Sequence, residues 1–107
     1  MVTFLFYKYG TILVTRELGS KVRKDLLSQI ANNEMVVLDF KNVEIVGNAF
    51  ADECLGKILL EMSLEDLQKH TTFKNLSGTS RVSVSAALRR RYNSLKKSER
   101  VISNSTR

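Results

Sequence analysis

The most constraining feature of the chain is a nearly unbroken apolar run, Met35-Val36-Val37-Leu38-Asp39-Phe40, set between two stretches with helical apolar spacing. The run is short and holds adjacent valines, which predicts a strand rather than a buried helix. A strand with apolar residues at consecutive positions has both faces covered, so it belongs in the middle of a sheet. The rest of the chain must then supply strands beside it and helices over it.

Candidates for both are present. Thr3 to Tyr7 and Thr11 to Thr15 read as strands of β-branched and aromatic residues, and the short break Lys8-Tyr9-Gly10 between them predicts a hairpin. A helix follows, with Leu18, Val22, Leu26, Leu27 and Ile30 on one face. Thr15 or Ser20 caps it, and Asn32-Asn33 ends it. Beyond the central strand, Lys41 to Gly47 carry the chain away. Asn48 is placed to cap a second helix with the stripe Phe50, Cys54, Leu55, Ile58, Leu59 and Met62. Asp52 and Glu53 read as first-turn acids that suit the helix dipole and lie opposite the stripe, toward solvent. Ser63-Leu64-Glu65-Asp66 resembles a capping box for a short helix ending near His70. Thr71 to Leu76 forms a strand around Phe73, and Ser77-Gly78-Thr79-Ser80 a turn. A last helix is predicted from near Val82 to Lys97, burying Val84, Leu88, Tyr92 and Leu95.

The predicted architecture is α/β: one domain over residues 1–97, a mixed four-stranded sheet covered by three to four helices, and a flexible polar tail over residues 98–107. A chain of 107 residues, 43% of them hydrophobic, has room for one modest core. The single cysteine, Cys54, excludes an intramolecular disulfide framework. The N-terminus, Met1-Val2-Thr3-Phe4-Leu5-Phe6-Tyr7-Lys8, lacks the basic start and cleavage site of a signal peptide. No stretch approaches the ~20 apolar residues of a membrane helix. A cytoplasmic protein without membrane contact is expected.

The net charge of +6 is unevenly distributed. Residues 1–80 carry nine Lys/Arg against ten Asp/Glu, and residues 81–107 carry eight Lys/Arg against Glu99 alone. The basic excess therefore belongs to the C-terminal quarter, and arguments about acidic partners apply there only.

Enzyme motifs are scarce. His70 has no companion at metal-ligand spacing, and Cys54, sixteen residues earlier, lies within an apolar stripe. It reads as a small buried hydrophobe rather than a nucleophile. The chain lacks a usual zinc ligand set, and Gly47 and Gly56 are too isolated for a phosphate loop. Asp39, Asp52 and Glu53 at a strand end and helix start are a conceivable Mg²⁺ cluster. The simpler assignment is a loop-anchoring hydrogen bond for Asp39 and helix-start stabilisation for the other two. No catalytic residue, metal or cofactor is expected.

From Val36 to Leu60 the chain resembles the central segment of STAS domains, named from sulphate transporters and anti-sigma factor antagonists. There a buried strand ending in Leu-Asp, here Leu38-Asp39, runs through an apolar loop into a helix. Phe50-Ala51-Asp52-Glu53 is similar to the helix start of a STAS-like family of uncharacterised bacterial proteins. Tyr9 to Arg16 and Phe73-Lys74-Asn75-Leu76 resemble that family's N-terminal hairpin and last strand, so the likeness spans roughly residues 2–92.

The resemblance implies a non-catalytic, regulatory protein–protein interaction module. Anti-sigma factor antagonists dock on a kinase-like ATPase through the loop and helix start after the Leu-Asp strand, where a phosphorylated serine breaks the complex. Carried onto this chain, the partner-binding surface is Gly47, Asn48, Ala49, Phe50, Asp52 and Glu53. The phosphoacceptor serine aligns with Ala49 and its neighbour with Asn48, neither of which accepts a phosphoryl group. Phe50 stands where the pattern has a small glycine, and its ring is assigned to the core.

Two other readings compete with this one. Arg89, Arg90, Arg91, Lys96 and Lys97, with Arg100, are candidates for contact with nucleic-acid phosphates through the basic C-terminal helix. A phage or mobile-element inhibitor that borrows the fold to block a host protein also fits the small size and charged end. Fold alone does not choose among them.

Overall fold

The computed structural model describes the backbone of residues 1–105 and the side chains of residues 1–98. The described residues form five strands, β1 (Val2–Leu5), β2 (Ile12–Leu13), β3 (Val36–Asp39), β4 (Ile45–Val46) and β5 (Thr71–Lys74), and four helices, α1 (Arg16–Asn32) after β2, α2 (Asn48–Cys54) and α3 (Leu64–His70) after β4, and α4 (Gly78–Ser105) after β5. Two short 3-10 segments, Phe6–Tyr9 and Gly56–Leu60, complete the set.

The apolar run is the centre of the sheet, as its composition requires. β3 lies between β1 and β5, parallel to both, with Leu38 opposite Phe4 on one side and Phe73 on the other. Val36 and Leu38 are completely buried. Parallel neighbours need long crossovers, which α1 supplies between β1 and β3, and α2 with α3 between β3 and β5.

The mixed four-stranded sheet is not what forms. The chain has a three-stranded parallel sheet, β1-β3-β5, and a separate two-stranded parallel pair, β2-β4. The expected N-terminal hairpin is absent because Phe6, at the point where the chain would turn outward, is pulled into the core. Its ring is fully buried, stacked on Phe40 at 4.1 Å and edge-on to Phe4 at 5.0 Å. The 3-10 turn that follows leads into β2, which pairs with residues read from sequence as a mere connection. Thr11 O accepts from the N–H groups of Glu44 (2.8 Å) and Ile45 (3.1 Å), and Leu13 O from Gly47 (2.8 Å). The register offset is 34 residues between β1 and β3 and 33 between β2 and β4. The two pairs thus run in the same sense with nearly the same offset but remain separate sheets.

Local signals decide the helix ends. The Thr15 hydroxyl, not that of Ser20, accepts from Leu18 N–H at 3.1 Å and caps α1. The Ser63 hydroxyl accepts from Asp66 N–H at 3.1 Å and caps α3. The second helix is shorter than its apolar stripe: α2 ends at Cys54 and Gly56–Leu60 is 3-10. Its cap is Gly47 rather than Asn48, with no side-chain hydrogen bond. α4 runs Gly78–Ser105, beyond both predicted ends, and buries Val84 and Ala87 with Leu88 and Leu95 partly buried. Tyr92, expected inside, is exposed, with the Lys96 ammonium 5.6 Å from its ring centroid. The expected polar tail over 98–107 falls largely on side chains, and on Thr106 and Arg107, outside the described residues.

Candidate functional site

α2 is buried on most of its circumference. Phe50, Ala51, Cys54, Leu55, Ile58 and Leu59 are all buried, with α1 and α4 packed against the same segment. Two glycines set how closely the neighbours approach. A Cβ at Gly19 of α1 would stand 2.9 Å from Glu53 Cβ and 3.1 Å from Phe50 O. One at Gly56 would stand 2.8 Å from Asp52 Oδ1 and 3.4 Å from the Ala87 carbonyl of α4. With no side chain at either place, three helices meet around one pair of carboxylates.

Those carboxylates are Asp52 and Glu53, expected on the solvent side in the first turn. They sit one turn further in and point into the helix junction. Glu53 is buried and meets Arg16 (3.2 Å), Arg23 (3.1 Å) and Lys57 (3.0 Å). Arg23 also donates to the Glu53 carbonyl. Asp52, its side chain 17% exposed, meets Arg16 at 3.0 Å and Arg91 at 2.8 Å. The hydrogen bond from Lys57, joined by those from Arg23 and Arg16, holds the Glu53 carboxyl down at about 2 against the opposing effect of burial. Burial alone would raise Asp52, but hydrogen bonds from Arg16 and Arg91 outweigh it and hold that carboxyl below its ordinary value. The pair joins α1, α2 and α4. Removing the buried Glu53 carboxylate leaves Arg23 and Lys57 without their shared partner, at about 3–5 kcal/mol.

The other chemical candidates are structural. Asp39 Oδ1 accepts from Asn75 Nδ2 (2.8 Å) and Lys41 N–H (2.9 Å), which lowers its pKa and anchors the loops after β3 and β5. The Cys54 thiol is buried and pushed up to about 12, so it stays protonated. His70 Nδ1 lies 3.0 Å from the Glu34 carbonyl. Among the described residues, no three His, Cys, Asp or Glu side chains come together as a metal site.

The six residues carried over from the STAS pattern are therefore not one open patch. Phe50 is fully buried, as assigned, and Asp52 and Glu53 are engaged internally. Asn48 is exposed, and Gly47 and Ala49 are partly so. What the sequence did not reveal is their neighbour. In β2 and β4, Leu13 and Val46 face the core, while Ile12, Val14 and Ile45 are 52%, 41% and 47% exposed. Alternation puts Ile12 and Val14 on one face, Ile12 is in register with Ile45, and Val14 lies against Gly47. Three aliphatic side chains thus border the start of α2. The signal was present as the alternation Ile12-Leu13-Val14, but the partner strand was hidden in an apparent loop. A groove of about 580 Å³ between the 56–60 segment, α3 and α4 contains none of the six residues.

A small α/β domain with a central parallel sheet, whose buried β3 leads through a short arm into a core helix, is the class that fold and site define. The chain belongs to the STAS-like family: the model described as a STAS-like domain of unknown function (DUF4325) matches residues 19–81. The matched stretch runs from within α1 to the start of α4 and includes the whole of α2. No curated protein and no solved structure matches the chain. No helix among the described residues is long and apolar enough to cross a membrane.

Proposed function

We propose that the chain is a non-catalytic regulatory module that docks a protein partner through the outward face of β2 and β4 together with the start of α2. One observation carries this reading: Ile12, Val14 and Ile45 are exposed side by side, next to Gly47 and exposed Asn48. That is the loop-to-helix position through which anti-sigma factor antagonists, which the chain resembles, meet a kinase-like ATPase. An apolar cluster rimmed by polar residues is the common form of a docking site. Asp52 and Glu53 support this surface from beneath by fixing α2 against α1 and α4. With Asn48 and Ala49 at the positions used for phosphorylation, docking is not released there by phosphoryl transfer.

The test is calorimetric titration of the chain against a purified kinase-like ATPase. Ile12→Glu combined with Ile45→Glu is expected to weaken binding by more than about tenfold while the circular-dichroism melt stays within the surface-mutation range. Undiminished binding by the double variant, or no binding by the parent chain, would overturn the proposal. After incubation with the ATPase and ATP, mass spectrometry is expected to find no phosphate between Gly47 and Glu53. Stoichiometric modification at Ser63 or Thr79 with loss of binding would mean that the switch has moved.

A further inference from the structure

The outward face of α4 is strongly charged and plays no part in docking through β2 and β4. From Gly78 to Ser98 this helix carries Arg81, Arg89, Arg90, Arg91, Lys96 and Lys97 and no acidic residue. Its inner face is defined by Val84, Ala87, Leu88 and Leu95, packed on the core. Arg91 shares that side, with its guanidinium on Asp52. Arg89 and Arg90 precede it and fall on the open side, and Lys96 and Lys97 repeat their placement two turns later. All four are exposed. They form two rows, Arg89–Lys96 and Arg90–Lys97, with about 10.5 Å between the members of each row at 1.5 Å rise per residue. Among the described residues, Arg89, Arg90 and Lys97 enter no salt bridge.

We infer that this face of α4 binds the phosphate backbone of nucleic acid. Arg89, Arg90 and Lys97 present positive charge on one exposed face of the helix, and a polyanion is the partner whose charge complements it. A duplex offers one negative charge per about 1.7 Å of its axis, so a helix laid against it finds phosphates for all four cations. A membrane surface is the poorer match. An interfacial helix needs an apolar face beside its charges, and the described apolar residues of the inner face of α4, Val84, Ala87, Leu88 and Leu95, are already packed on the core. Among the residues whose side chains are described, the open side adds only Val82 and Tyr92, 68% and 38% exposed. Contacts of this kind hold the backbone without reading sequence. The rows lie beyond residues 19–81, outside the segment that the family model matches.

Fluorescence anisotropy of a labelled duplex of about 20 base pairs, titrated with the full chain between about 25 and 200 mM salt, tests the inference. Affinity should fall linearly on logarithmic axes with a slope of about −3 to −4, since four neutralised phosphates contribute about 0.9 each. Each single change, Arg89→Gln, Arg90→Gln, Lys96→Gln or Lys97→Gln, should flatten that slope by about 1. The four together should remove more than about tenfold of the affinity at the lowest salt. A charge-matched control, Lys8→Gln, Lys21→Gln, Lys24→Gln and Lys41→Gln, removes four exposed cations elsewhere and should leave binding in place. Circular dichroism verifies that both quadruple variants are folded. The inference is overturned by no binding at the lowest salt or by equal loss in the control. It is equally overturned by binding to phosphatidylserine vesicles or polyglutamate at least as tight as to the duplex.

Discussion

Arg91 and its two predecessors show how one helix uses charge in two ways. Arg91 closes on Asp52 at 2.8 Å inside the junction of α1, α2 and α4. Arg90 and Arg89, one and two residues earlier, stand in solvent with no carboxylate partner among the described residues. In the first region positive charge answers negative charge that is already desolvated, so geometry there is tied to folding. In the second, water and salt screen every cation, and its stability is indifferent to it. Composition is therefore a poor guide to role. The same residue type, within a single turn of helix, is structural at one position and available to a partner at the next.

The comparison breaks most readily at Glu53. Glu53→Lys places a fourth cation among Arg16, Arg23 and Lys57 and is expected to cost about 3–5 kcal/mol, a large fraction of the roughly 5–15 kcal/mol that holds a small domain folded. A urea melt followed by circular dichroism measures it. A cooperative transition near that of the parent chain would show that the cluster is not tied to folding.

A finer division is expected along α4. Arg91→Gln removes the bond to Asp52 and should cost roughly 1.5–3 kcal/mol, the worth of a hydrogen bond to a charged group. Arg89→Gln and Arg90→Gln should each stay within about 0.5 kcal/mol. Equal effects at the three positions in parallel chemical melts would erase the distinction between inward and outward charge.

The smallest effect is on pH dependence. The folded-state pKa values of Asp39, Asp52 and Glu53 lie below their ordinary values, Glu53 at about 2. A lowered carboxyl contributes stability that is complete above the unfolded range near ~4 and is lost as pH falls through the folded value. The melting temperature should accordingly decline between about pH 4 and 2, and less steeply in Glu53→Gln than in the parent chain. A parent chain with a flat profile over that interval would contradict the pairing.

Much of the local structure was legible in the residues. The run Val36-Val37-Leu38 demanded a central strand, because no edge position covers both faces. The stripe Val22, Leu26 and Ile30 demanded an amphipathic helix, and Ser63 a helix start, because capping and periodicity act over three or four residues. The likeness around Leu38-Asp39 and Phe50 to Glu53 pointed to the STAS-like family, to which the chain belongs. Tertiary structure alone decided how the strands pair and which way Asp52 and Glu53 face. Two-residue strands such as β2 and β4 have too little periodicity to announce a partner 33 positions away, and only the burial of Phe6 diverts the chain from a hairpin. A carboxylate on a short helix is drawn inward only if cations from other elements converge on it, and Arg16, Arg23 and Arg91 reach Asp52 and Glu53 because Gly19 and Gly56 let α1 and α4 come close. That convergence is a property of three packed helices and is not written in any one of them.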